Sequence, residues 1–336
     1  MPSPRNERPG RAGADAPRTR SPRARPAAPE TYLRLPESLL ERIPALPADG
    51  APAPAAPPAD LSASFGFCRE STRIHAKTFY FASRFLPRAK RREAYAVYSY
   101  CRYIDDRIDE AEKESAIPDE AALREENRRL LSGGHPAPFA GAFAWVCRER
   151  GIPGRLLDDL VSGCCRDRGR VRIATHTELL EYCYLVASVA GLMMCRIFGV
   201  TDARAYPRAV RMGLAMQLTN ILRDVAEDFA KDRIYLPAED LEARGLDVRR
   251  LLAEGPTPQW RDYLAALTAE ARDWYRSAAG GLPFLSGRRT AWTAGIMGRV
   301  YAGILDEIET AGYDVRRRHH VPLRRKVVLA FRRSGG

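Results

Sequence analysis

The chain has 336 residues, 45% of them hydrophobic, and 54 Lys and Arg against 42 Asp and Glu for a net charge of +12. That is enough apolar material for one large core, and no run of about eighteen apolar residues marks a membrane span. Seven cysteines, an odd count without a C-x-x-C pair, read as reduced core thiols of a cytoplasmic protein rather than a disulfide framework.

Residues 1–60 are rich in Pro, Ala and Arg, with Ala51-Pro-Ala-Pro-Ala-Ala-Pro-Pro58 as the extreme. Such a segment lacks the apolar content for a core and is expected to be a disordered extension. Its prolines break the amphipathic helix of a transit peptide, and it has no apolar secretory stretch. From Ser64 the pattern is helical. One helix carrying Phe65, Cys68, His75, Phe79 and Ala82 is expected to end at Pro87, and a second to run from Arg88 past Asp109. Helices follow at 119–131, 138–150 and 153–166. Thr177-Glu-Leu-Leu180 is a capping signal for a longer helix to Phe198. The next spans 203–229, and 232–236 is expected to be a loop. Helices at 238–244, 247–253, 258–280 and 288–311 complete the set, the last stopped by Gly312. With no alternating strand pattern and no repeat, residues 61–336 are expected to form a single all-α bundle around a central cavity.

The excess charge is not evenly spread. Residues 1–60 hold nine arginines against seven acids, whereas 313–333 hold eight Lys and Arg against Asp314 alone. Val321, Leu323, Val327, Val328, Leu329 and Phe331 are interleaved there. A basic amphipathic end suits an anionic membrane surface. A solvated helix and a nucleic-acid contact are the competing readings.

Two acidic clusters carry the chemistry. Asp105-Asp106-Arg107-Ile108-Asp109-Glu110 is one; Asp224-Val225-Ala226-Glu227-Asp228, preceded by Gln217, Asn220 and Arg223, is the other. Helical spacing puts Asp105 beside Asp109, and Asp224 beside both Asn220 and Asp228. Like charges so placed repel unless a cation lies between them. Apolar residues follow the same helices, so both clusters sit on or beside inward faces. Burying unpaired carboxylates is costly, and hard oxygen donors without His or Cys suit Mg2+, with Mn2+ as a substitute. Arg102, Arg223 and Arg233 stand close by, and guanidinium groups suit phosphate. The bland alternative is a solvated acidic face paired with Arg107 or Lys231.

Tyr98-Ser-Tyr-Cys-Arg-Tyr-Ile-Asp-Asp-Arg-Ile-Asp-Glu110 resembles the first aspartate-rich motif of the squalene and phytoene synthase family. Gln217-Leu-Thr-Asn-Ile-Leu-Arg-Asp-Val-Ala-Glu-Asp-Phe-Ala-Lys-Asp-Arg-Ile-Tyr-Leu-Pro237 resembles its second. The likeness also takes in His75–Ala82, Tyr182–Ala187, Tyr301–Glu307 and the basic end near Arg318, about residues 64 to 331 in all. It implies an isoprenoid-synthase-type helical bundle that joins two isoprenyl diphosphates head to head through a cyclopropyl diphosphate. Asp105, Asp109, Asp224 and Asp228 then correspond to Mg2+ ligands, with Asn220 as a further one. Arg102, Arg223, Arg233 and Arg318 correspond to diphosphate-binding arginines. His75, Phe79, Tyr98, Tyr182, Gln217 and Tyr301 match cavity positions, with ordinary core packing as the alternative for the tyrosines and for His75.

Two endings are open to such an enzyme: proton loss gives phytoene, and hydride from NADPH gives squalene. Arg233-Ile-Tyr-Leu-Pro237 and the basic end look like the bacterial phytoene-forming members. Val186-Ala-Ser-Val-Ala-Gly191 departs from the usual pattern by placing Ser188 where the family has glycine, which leaves chain length open. Presqualene diphosphate or squalene from farnesyl diphosphate is the alternative. A basic membrane- or nucleic-acid-binding module without catalysis explains the charge and leaves the acid clusters unexplained.

Overall fold

Fifteen helices, among the described residues, build the bundle that a core with helical periodicity calls for. The computed structural model describes residues 35–50, 56–114 and 119–331, and of 109–114 the backbone alone. α1 is Glu37–Arg42; α2 and α3 are Ser62–His75 and Lys77–Ser83; α4 is Arg88–Glu114. α5 (Glu120–Leu131), α6 (Ala140–Arg150) and α7 (Gly154–Cys165) follow. α8 (His176–Cys183) runs through a π-helical segment, Tyr184–Ser188, into α9 (Val189–Phe198). α10 is Ala205–Ala230, α11 Ala238–Ala243, α12 Val248–Glu254, α13 Pro258–Ala279, α14 Arg288–Thr310 and α15 Leu323–Phe331.

Local chemistry explains most boundaries. Asp119 caps α5 by accepting from the Ala122 N–H at 2.6 Å, and Thr257 caps α13, whose first residue is Pro258. The cap of α8 is Thr175, two residues before the expected Thr177. Its hydroxyl accepts from the Glu178 N–H while the Glu178 carboxylate accepts from the Ala174 N–H. The expected helix to Pro87 breaks at Ala76, because α2 packs on α4 and α6 whereas α3 packs on α14. The expected loop at 232–236 contains a two-residue parallel pairing, Val171↔Arg233 and Arg172↔Ile234. Asp232 turns into it with a positive φ of 58°, which a short polar side chain tolerates.

α10 lies at the centre and packs on α9, α13, α14 and the π segment. Ala94, Val97, Tyr100, Ile104 and Ile108 present the inward face of α4, all essentially inaccessible. The run His176–Phe198 is long and apolar enough to cross a bilayer, although no single apolar stretch shows it, and most of it is buried inside the bundle.

The expectation of disorder throughout 1–60 does not hold for residues 35–50. Leu35 and Leu39 are buried in the core. The Tyr184 hydroxyl donates to the Arg42 carbonyl at 3.0 Å, the Arg196 guanidinium to the Pro47 carbonyl at 3.1 Å, and the Gly50 N–H to the Val200 carbonyl at 2.8 Å. Three backbone groups of this Pro-rich segment thus find partners outside it, and the Pro47 carbonyl accepts from the Tyr206 hydroxyl as well as from Arg196. Composition hid this, because a few apolar anchors suffice when a finished surface receives them. Residues 1–34 and 51–55 lie outside the described residues.

Candidate active site

α4 and α10 bring the two acidic motifs to one cavity of about 250 Å3, lined by Arg102, Asp105 and Ile108 from α4 and by Gln217, Asn220, Ile221, Arg223, Asp224 and Asp228 from α10. α7 and the residues after it add Cys164 and Asp167, α8 and the π segment add Tyr182 and Val186, and the short parallel pair adds Arg233 and Tyr235. Asp109 aside, all the residues marked from sequence for binding or catalysis except His75, Phe79 and Tyr98 therefore line this cavity or bond directly to its lining. The Asp109 side chain lies outside the described residues, although α4 carries its backbone one turn beyond Asp105.

The guanidinium groups here hold carboxylates. The Arg223 Nε donates to Asp224 at 2.7 Å, and the Arg318 Nε lies 3.2 Å from the same carboxylate. Arg318 also donates to Glu227 at 2.9 Å. Arg102 pairs with Asp106 rather than Asp105, at 3.0 Å through its Nε. Burial disfavours the charge on Arg223, but its bond to Asp224 outweighs that and holds its pKa above the usual arginine value. Asp228 is the strained member. Burial, then the neighbouring Asp224 and Asp167 carboxylates, push it up to about 7 against the pull of Arg233 and Lys231. A cation placed among these groups would relieve that repulsion.

Tyr301 on α14 donates to the Asn220 Oδ1 at 2.8 Å, and the Asn220 amide donates to Gln217 at 3.1 Å. These two bonds fix which way the Asn220 oxygen points. Phe79 stacks on Tyr98 at 5.9 Å, one turn before Arg102, without lining the cavity. Burial pushes the Tyr98 hydroxyl up to about 12. His75 ends α2 at an exposed position away from the lining residues.

Asp167 and Tyr235 were not among the residues marked from sequence as site candidates, and they form the best-connected group in the cavity. Tyr182 and Tyr235 stack at 4.9 Å, and their hydroxyls donate to the two oxygens of Asp167 at 3.0 and 2.7 Å. Burial first, and Asp167 second, raise both phenols well above their ordinary value. The signal for Asp167 lay in Cys164-Cys-Arg-Asp-Arg168, where one acid stands between two arginines, and that for Tyr235 in Arg233-Ile-Tyr-Leu-Pro237. Cys164 sits between the motifs, its thiol 3.4 Å from Asp105. Burial, then that carboxylate, raise its pKa, so it is an inert thiol.

The π segment is clamped on both sides. A Cβ on Gly163 of α7 would lie 2.7 Å from the Leu185 Cβ, and one on Gly213 of α10 would lie 2.4 Å from the Ser188 Cα. Ser188 is fully buried and donates to the Val210 carbonyl at 2.8 Å. Widened turns of this kind re-aim neighbouring side chains, and here the neighbours include Tyr182 and Val186.

A bundle with two aspartate-bearing helices facing each other over an arginine-rich cavity is the architecture of enzymes that ionise isoprenyl diphosphates. The chain belongs to the squalene/phytoene synthase family, whose model matches residues 72–326. It is 38% identical to a phytoene synthase of Thermus thermophilus over 81% of this chain and 93% of that one. It is 39% identical to a phytoene synthase of Cereibacter sphaeroides over 80% and 78%. Among solved structures, a dehydrosqualene synthase superposes with a TM-score of 0.74 at 28% identity, covering 81% of this chain and 95% of that one. A squalene synthase of Alicyclobacillus acidocaldarius follows at 0.69 and 28%, covering 77% and 97%. The protein is a prenyltransferase.

Proposed function

We propose that the chain is a phytoene synthase that joins two geranylgeranyl diphosphates head to head, in Mg2+, and releases pyrophosphate. The observation that carries this reading is the convergence of both acidic motifs and three guanidinium groups on one cavity, in a chain whose closely matching relatives are phytoene synthases. The cavity is too small for two twenty-carbon chains and is dominated by polar groups, so it is the diphosphate end of the site.

The donor set fits Mg2+. Among the described residues no three His, Cys, Asp or Glu side chains form a cage. Mg2+ does not need one, because it takes one or two carboxylates and completes its shell with water and phosphate oxygens. Asp105, Asp109, Asn220, Asp224 and Asp228 would hold it. When bound it supplies Lewis-acid stabilisation to the departing diphosphate. Arg102, Arg223 and Arg318 trade their carboxylate partners for phosphate oxygens as the site fills, Arg233 on the cavity wall adds a further guanidinium, and such preorganised groups stabilise the charge that develops on ionisation. Ile108, Val186 and Ile221 exclude water that would quench an allylic cation. The face of Tyr182, which lines the cavity, stabilises that cation through its ring quadrupole. With long hydrocarbon substrates and product, the enzyme works as a cytoplasmic protein at a membrane surface.

The test is product analysis with geranylgeranyl and farnesyl diphosphates, with and without NADPH. Phytoene and pyrophosphate from the longer substrate, without NADPH, are expected. Presqualene diphosphate or squalene from farnesyl diphosphate alone overturns the product assignment. Undiminished turnover in EDTA, or in Asp105→Ala, sinks the metal site.

A further inference from the structure

The net charge of +12 is concentrated by the fold. Residues 71–92, 286–305 and 315–331 contain sixteen Lys and Arg and no Asp or Glu. The first is far from the other two in sequence, yet α3 and α15 both pack on α14. The Lys326 ammonium of α15 donates to the Thr78 hydroxyl of α3 at 2.9 Å. The Arg299 guanidinium of α14 donates to the Leu329 and Ala330 carbonyls at 3.0 and 3.2 Å, so the end of α15 is fastened down.

An aromatic group sits at this junction. Phe85, Trp292 and Phe331 lie with ring centroids 5.3 to 6.0 Å apart, one ring from each stretch. Burial within the molecule is incomplete: Trp292 is 38% exposed and Phe331 61%. On α15, Leu323, Val327 and Phe331 recur every four residues and are all exposed, with Val328 beside them at 64%. Leu329 and Ala330 on the same helix are buried. So α15 uses its inner face to hold the bundle and, among the described residues, leaves an outer apolar stripe uncovered. Exposed Arg84, Arg88, Arg288 and Arg324 occupy the same three stretches.

The geometry points to this α3–α14–α15 face as the surface that docks on an anionic lipid bilayer, with Trp292, Leu323, Val328 and Phe331 entering the headgroup region and Arg84, Arg88, Arg288 and Arg324 meeting lipid phosphate. Charge complementarity selects the partner, since the exposed Arg84, Arg88, Arg288 and Arg324 belong to stretches that hold no acid. The exposed Trp and Phe select an interface with an apolar layer beneath it. This deepens the reading that the enzyme meets hydrocarbon substrates at a membrane, and it gives that reading a direction. α3 carries Phe79 and α14 carries Tyr301, so docking sets lipid next to two of the helices that flank the site. It also revises which side chains make the contact. Arg325 of the basic end is spent on Asp306 at 2.8 Å and on Glu307, and Lys326 on Thr78, so neither is free for lipid.

The experiment is co-sedimentation of the full chain with vesicles of phosphatidylcholine alone or with phosphatidylserine, over a range of salt. Basic side chains near an anionic surface contribute about 1 kcal/mol each, so Arg288→Glu with Arg324→Glu should weaken binding by at least about thirtyfold. Val328→Asp should weaken it about tenfold or more with little change in salt dependence. Both variants keep wild-type turnover on detergent-dispersed substrate, which shows that they fold. Wild-type protein that binds neither vesicle, or both equally, overturns the inference. So do variants that bind like wild type, and so does tighter binding to a DNA duplex that Val328→Asp leaves unchanged. Binding and turnover are read separately, so failure here leaves the synthase reading standing, and the reverse.

Discussion

Gly213→Ala tests whether the clamp on the π segment sets the geometry of the site. The added Cβ would lie 2.4 Å from the Ser188 Cα and 2.5 Å from its nitrogen, where ordinary contact begins near 3.4 Å. These are backbone atoms, so no rotamer change relieves the clash, and α10 must separate from the π segment by about 1 Å. Gln217, Asn220 and Asp224 follow one, two and three turns further along α10, while Tyr182 and Val186 ride on the other side of the gap. Overpacking of this kind costs about 1–3 kcal/mol. At about 0.6 kcal/mol per degree for a chain of this size, the melting temperature falls by about 2–5 °C. Catalysis should suffer more, since a 1 Å misplacement can cost on the order of a hundredfold in rate. Phytoene formation and thermal melts on the same preparation are the assay. Restoring the family's glycine by Ser188→Gly removes only the hydroxyl contact at 2.6 Å and leaves the backbone clash, so the double variant stays impaired. A Gly213→Ala enzyme with wild-type turnover and melting temperature would refute the reasoning, and rescue by Ser188→Gly would move the constraint from backbone to side chain.

Asp228→Asn should raise the stability of the metal-free protein while lowering turnover. Its pKa, pushed up to about 7, stands above the ordinary aspartate value of 3.8, so this carboxylate's stability contribution is intact below about pH 4, falls as pH rises to about 7, and stays lost above. At about 1.36 kcal/mol per unit the ceiling is about 4 kcal/mol, and solvent screening leaves on the order of 1–3 for melts in EDTA to detect. If the gain is as large at pH 4 as at pH 8, or if Mg2+ does not shrink it, the carboxylate repulsion is not its source. A chain beginning at Asp60 should lose stability rather than tolerate the cut. Leu39 alone contributes about 1.5–3 kcal/mol when fully buried, and Leu35 and the bonds to Arg42, Pro47 and Gly50 go with it. A drop of more than about 5 °C is expected, and an unchanged melt would show that the segment adds nothing.

Much of the site was legible along the chain because its groups sit on helices, where spacing maps onto a face. Asp105, Asn220, Asp224 and Asp228 declare themselves through a repeat of four, and their apolar neighbours show which way they turn. The Asp167–Tyr182–Tyr235 group has no such spacing. Its members come from three segments brought together by a two-residue strand pairing, too short to leave an alternating pattern. The same holds for partners. Arg102 lies four residues from Asp106, and its choice of that carboxylate over Asp105 depends on rotamers that packing selects.

The helical class, the two acid-bearing helices and the basic character of the chain follow from the order of residues alone, because each is written in local periodicity or composition. Packing alone makes residues 35–50 part of the core, lets Gly163 and Gly213 make room for the π segment, and brings exposed arginines from three stretches onto helices that meet. Those are properties of surfaces meeting across long sequence separations. A glycine at a close approach and an arginine turned inward to Asp306 look no different in sequence from any other glycine or arginine. Their roles exist only once the opposing backbone or carboxylate is in place.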